Sequence, residues 1–163
     1  MFKIGDKIVY PSQGIGVVDL IEEREFDGKI QDYYKIHLLN DTMKLTLPCS
    51  RVKQSGMRLI SDCKTIDNKL KNITDYTTDM EELKKSSYKD RILMNSDKIK
   101  SGSLVDYLEV ICNLTQVRIH HHLTASEKRI LDSTKKVVIE EISQSKDISN
   151  EVAEDLLNLA INF

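Results

Sequence analysis

Lys84, Lys85, Lys89, Arg91 and Lys98 are the side chains whose type and spacing suit contact with a polyanion. Together with Lys100 they give residues 84 to 100 six cations against two carboxylates, Asp90 and Asp97, on a chain whose formal net charge is −2. A basic segment on an acidic protein can neutralise phosphates without reading base sequence, which orients the molecule on DNA and makes binding fall with salt. The competing reading is the solvated face of a helix. His120-His121-His122 invites a metal site, but consecutive side chains on a helix diverge and do not converge on one ion. A weak electrostatic role near a helix C-terminus fits them better. Cys49, Cys63 and Cys112 are odd in number, widely spaced and without a CxxC pair. That pattern argues against a disulfide framework or structural zinc and for small buried hydrophobes. The paired acids Glu81-Glu82 and Glu140-Glu141 fall on expected helix surfaces. Neither GxGxxG, GxxxxGK[ST], HExxH nor GxSxG occurs, so no catalytic residue, cofactor, metal or small-molecule substrate is expected, and the chain does not read as an enzyme.

Two kinds of element must carry these residues. Up to Pro48 the pattern is β. Lys7-Ile8-Val9-Tyr10 leads through Pro11-Ser12-Gln13-Gly14 into the β-branched stretch from Ile15 to Ile21. Asp27-Gly28 separates Arg24-Glu25-Phe26 from Tyr33-Tyr34-Lys35-Ile36-His37-Leu38 as a hairpin turn. Asn40-Asp41 then precedes Met43 to Leu47, and Pro48 ends the run. Four or five short antiparallel strands of this kind pack as a bent SH3-like or Tudor-like barrel. Beyond a connection at residues 51 to 58 the apolar period shifts toward 3.6. One helix is expected at about residues 62 to 73, and a loop at 75 to 79. Another is capped by Ser86 or Ser87 and runs to about Lys100. Ser101-Gly102-Ser103 stops it and caps the next, with Leu104, Leu108, Ile111, Cys112 and Val117 as its core stripe. Thr124-Ala125-Ser126-Glu127 fits a capping box, so a long helix starts at Ala125 and reaches about Ser143. Asp147-Ile148-Ser149 caps a last helix that carries Val152, Leu156, Leu157 and Ile161.

The fold class is therefore α+β, with a barrel at residues 1–55 and a bundle of about five helices at 56–163. Apolar residues make up 40% of the 163 and charged residues 31%, a globular balance. No apolar run reaches membrane-spanning length and no cleavable leader is visible, so a soluble cytoplasmic protein is expected. Small barrels with short loops bind partners rather than perform chemistry. Arg24, Phe26, Tyr34 and Thr46 are the candidates for that contact, two of them offering aromatic area and one a directional cation.

Three stretches carry a family resemblance: Phe2-Lys3-Ile4-Gly5-Asp6-Lys7-Ile8-Val9-Tyr10-Pro11 followed by Gly14, then Leu45-Thr46-Leu47-Pro48, and Leu123-Thr124-Ala125-Ser126-Glu127-Lys128-Arg129-Ile130-Leu131. The chain resembles the CarD family, including its CdnL branch, over nearly its whole length. The first stretch is also similar to the polymerase-interacting domain of transcription-repair coupling factors. The resemblance implies a bacterial transcription regulator whose Tudor-like domain binds the RNA polymerase β subunit. Its helical domain would contact promoter DNA without sequence preference and so alter open-complex stability. It implies polymerase contact at Arg24, where family members also carry Arg. Thr46 stands where a second family Arg falls, and a hydroxyl does not replace a guanidinium fork. Many relatives place a Trp wedge near the start of the basic helix; this chain has no Trp, and Tyr88 occupies the corresponding place. The second reading is a protein–protein adaptor with no direct DNA contact.

Overall fold

The computed structural model describes residues 1–162, which divide into two compact units, residues 1–60 and the described residues from 61 onward. Five strands build the first unit: β1 (Lys7–Tyr10), β2 (Gly14–Phe26), β3 (Lys29–Leu38), β4 (Lys44–Pro48) and β5 (Arg58–Leu59). They form one antiparallel sheet in the order β4-β3-β2-β1-β5, so β4 and β5 are its edges. Asp27 and Gly28 at the β2–β3 turn both take positive φ, 51° and 73°, the pair of left-handed residues that suits a two-residue hairpin. Residues 51 to 58 were expected as a plain connection. Instead they include a short helix, α1 (Val52–Ser55), and lead into β5, whose Leu59 and Arg58 pair with Ile8 and Val9. That pairing carries the first unit past residue 55 to Ile60.

The sheet bends around Phe2, Ile8, Val18, Tyr34, Ile36 and Met57, with Leu45 and Leu47 packed against them. Strand alternation fixes which side chains join that core. The alternation is interrupted once, on β2. Val18 pairs with Ile36 but Leu20 pairs with Lys35, so Asp19 is an extra residue, a β-bulge. Beyond it Leu20, Glu22, Arg24 and Phe26 share the outer face with Lys35, Tyr33, Gln31 and Lys29, and Ile21 turns toward the core.

The second unit contains six α-helices among the described residues, one more than expected: α2 (Cys63–Lys71), α3 (Met80–Lys85), α4 (Tyr88–Ser101), α5 (Leu104–His120), α6 (Ala125–Lys146) and α7 (Asn150–Ala160). The additional one is α3, where Asp79 accepts a hydrogen bond from the Glu81 amide and Leu83 is buried. Each of the six starts with a side-chain cap: Asp62, Asp79, Ser87, Ser103, Thr124 and Ser149. Gly102 in the left-handed region stops α4 at φ 76°, as the Ser-Gly-Ser stretch requires. Helix α5 is buried nearly all round: Tyr107, Val110 and Leu114 join the five expected core residues. It packs against α3, α4 and α6 and is the axis of the unit. On α7 the inward positions are Ala153 and Leu157, followed by buried Ile161 just past its end, whereas Val152 is exposed.

Candidate functional site

In the first unit, the outer face of β2, β3 and β4 brings three of the four expected contact residues together. Arg24 sits opposite Gln31, Phe26 opposite Lys29, and Thr46 opposite Lys35, all on one side of the sheet. Phe26 is 69% exposed. Glu22 accepts from both Arg24 and Lys35, the latter at 3.2 Å, so a cation–anion–cation row crosses the face toward Thr46. Partial burial opposes ionisation of Glu22, but the hydrogen bonds and charges of Lys35 and Arg24 win and lower its pKa. Beside this row lies an open concavity of about 640 Å³, bounded by Arg24, Phe26, Gln31, Tyr33 and Arg51.

Tyr34 does not belong to this face. It is 1% exposed, its ring lies 5.6 Å from Phe2, and its hydroxyl accepts from the Phe2 amide at 3.1 Å. It is part of the barrel core, because its place in β3 is one residue out of phase with Tyr33 and Lys35.

In the second unit the basic segment is two helices rather than one. Lys84 and Lys85 end α3, and Lys89 lies in the first turn of α4, with Ser86 and Ser87 between. All three lysines are exposed, and so is Tyr88, the first residue of α4, at 48%. Lys98 and Arg91 are engaged elsewhere. Lys98 is ion-paired with Glu109 of α5, both side chains mostly covered. Arg91 is buried: its Nε donates to Glu127 Oε1 at 2.6 Å and its Nη1 to the Ser86 carbonyl at 2.9 Å. Glu127 is wholly enclosed and closes the capping box of α6, accepting from the Thr124 amide at 3.0 Å while its own amide donates to Thr124 Oγ1 at 3.2 Å. Both Arg91 and Lys98 were expected as phosphate contacts, yet each has its charge matched by a carboxylate inside the unit.

The Arg91–Glu127 pair brings the starts of α4 and α6 together, which adds two cations that sequence reasoning passed over. Lys128 and Arg129 follow Glu127 directly and are exposed. The signal was present in Ser126-Glu127-Lys128-Arg129, but it reads there as the opening of a helix rather than as part of a surface. His120 ends α5, and His121 and His122 lie beyond it, all exposed. Among the described residues no three His, Cys, Asp or Glu side chains form a metal-binding group. Cys112 is buried, its thiol pushed up to about 12 by desolvation. Cys63, by contrast, is exposed, with its Sγ 3.0 Å from the Ser145 carbonyl. No helix is long and apolar enough to cross a membrane among the described residues.

Both units match known families. Residues 2–61 match the CarD-like/TRCF RID domain and residues 72–158 the CarD C-terminal domain. The chain is also 35% identical over 149 residues to a protein of Bacillus subtilis (strain 168) named "Putative transcription factor YdeB", an alignment covering 91% of this chain and 95% of that one. With a Tudor-like sheet unit followed by a helical unit, matched in that order over most of its length, the chain belongs to the CarD family of transcription regulators, which work with RNA polymerase and are not enzymes.

Proposed function

We propose that the chain is a cytoplasmic regulator that docks on the RNA polymerase β subunit through its sheet unit and touches promoter DNA through its helical unit. The outer face bearing Arg24, Phe26 and Thr46 is the polymerase surface, and Lys35, directly opposite Thr46, offers the cation that the threonine lacks. Lys84, Lys85, Tyr88 and Lys89, with Lys128 and Arg129, are the DNA surface. Such contacts are mainly to phosphate and carry no base preference. Tyr88 stacks at the edge of melted DNA in place of a larger ring. Tethering to polymerase raises the effective concentration of the helical unit at the promoter, so weak intrinsic DNA affinity suffices on a chain of net charge −2. A preference for the melted state then changes the lifetime of the open complex.

The observation that carries this reading is the exposed outer face: Arg24, Phe26 and Thr46 on one side of the sheet, with Lys29 and Lys35 opposite Phe26 and Thr46, and not committed to the core. A pull-down with the polymerase β subunit tests it. Arg24→Glu is expected to weaken capture by roughly tenfold or more, since an interface arginine is commonly a strong contributor. Undiminished capture by a variant with native circular dichroism removes this face from the docking surface. The DNA arm is tested on a forked promoter fragment. Lys89→Glu is expected to weaken binding and flatten its salt dependence, whereas binding that persists unaltered favours the adaptor reading.

A further inference from the structure

We infer that Arg91 is a positioning residue of the nucleic-acid face rather than one of its contacts. It sets the spacing between the starts of α4 and α6 so that cations on both reach one phosphate backbone. The inference rests on reading that face as a DNA surface. Its basis is a continuous chain of bonds. The Ser86 carbonyl, in the link between α3 and α4, accepts from Nη1 of Arg91 at 2.9 Å, and Nε of the same group donates to Glu127 at 2.6 Å. Glu127 accepts in turn from the Thr124 amide at 3.0 Å. One planar guanidinium therefore spans from the α3–α4 link to the head of α6, and its rigid fork fixes direction as well as distance.

The exposed groups are attached immediately beside this chain. Tyr88 and Lys89 lie between Ser86 and Arg91, and Lys128 and Arg129 directly follow Glu127. Arg91 itself cannot serve phosphate: its side chain is 11% exposed, and a fully enclosed carboxylate neutralises it. Glu127 supports the same view: wholly enclosed, its carboxylate meets Arg91 and the Thr124 amide rather than the surface, so it holds its neighbours in place.

Fluorescence anisotropy of the full chain with a forked DNA duplex, from about 50 to about 200 mM salt, separates the two roles. Arg91→Gln is expected to weaken binding about tenfold at fixed salt, on the scale of lost supporting contacts, with the slope of log affinity against log salt unchanged. Glu127→Gln is expected to do the same although it deletes a negative charge, and the double variant to bind no worse than the weaker single one. Lys89→Ala, a direct contact, should lower the slope by about one. Arg91→Lys, which keeps the ion pair but not the bond to Ser86, should recover part of the affinity. A slope reduced by about one in Arg91→Gln, or tighter binding by Glu127→Gln, overturns the inference. If the wild-type chain shows no DNA binding across the range, the DNA reading itself falls. Amide hydrogen exchange then judges the clamp alone: Arg91→Gln must expose residues 86–89 and 124–128 while α5 stays protected, and unaltered exchange in either segment removes the clamp.

Discussion

At Glu127 two effects oppose each other. Burial raises the pKa of a carboxyl, whereas hydrogen bonds and charge from Arg91, together with the Thr124 amide, favour the ionised form, and the net result lies below the unperturbed 4.5. A folded-state pKa below the unfolded one means that the stabilisation is present above the unfolded value and is lost as pH falls through the folded value. Urea unfolding should therefore show wild-type stability declining below about pH 4.5, with Glu127→Gln flatter there because the titrating group is gone. At neutral pH Glu127→Gln should cost roughly 3–5 kcal/mol, since it leaves a buried guanidinium without its counter-ion. A cost near zero would mean that water reaches the pair. The same residues mark the limit of reading by type. Arg91 looks like a phosphate contact in sequence because Arg in a basic run usually is one. What removes it is a partner 36 positions away, which no local pattern reveals.

Elements were more legible than sites, and the reason is local chemistry. Thr124 and Glu127 announce the start of α6, Gly102 announces the end of α4, and Asp27-Gly28 announces the hairpin, because each is a preference of a few consecutive residues. Helix α3 escaped since six residues hold too little periodicity to register, and its cap, Asp79, reads equally well as loop. Strand β5 escaped because two residues gain their identity only from pairing with β1. Gly16 shows what the sheet demands at one crossing. A Cβ there would sit 2.7 Å from Ile36 Cγ2 and 3.1 Å from the His37 carbonyl oxygen, within the core of the first unit. Gly16→Ala should therefore destabilise by roughly 1–3 kcal/mol, the usual cost of overfilling a packed interior. Chemical denaturation monitored by near-ultraviolet circular dichroism measures it, and an unchanged midpoint would show that the strands separate without penalty.

For the whole molecule, the two units appear in the order in which their families are matched, residues 2–61 and then 72–158, so the proposed activity depends on both being on one chain. The consequence is measurable in open-complex lifetime. The wild-type protein should alter the lifetime at concentrations far below those needed for free DNA binding, because the tether supplies effective concentrations of about millimolar. Arg24→Glu should abolish this at low protein concentration and leave direct DNA binding untouched. If Arg24→Glu and the wild-type chain act alike, polymerase docking contributes nothing to the effect. The fold class was readable from sequence at this scale because composition and period change together near residue 50. The surfaces were not, because they depend on which way each strand turns.

That orientation hangs on Asp19. Val18 faces the core and Leu20, two positions on, faces outward because Asp19 is taken up in the bulge and holds no place in the alternation. Were Asp19 paired in the ladder instead of bulged out of it, none of the proposed contact groups would change, yet everything downstream on the strand would rotate by half a turn. Arg24 and Phe26 would swap sides with Glu23 and Glu25, and a cationic, aromatic arm would present carboxylates in their place. Partner choice in this unit is thus encoded less by the identity of its docking residues than by the parity of a count.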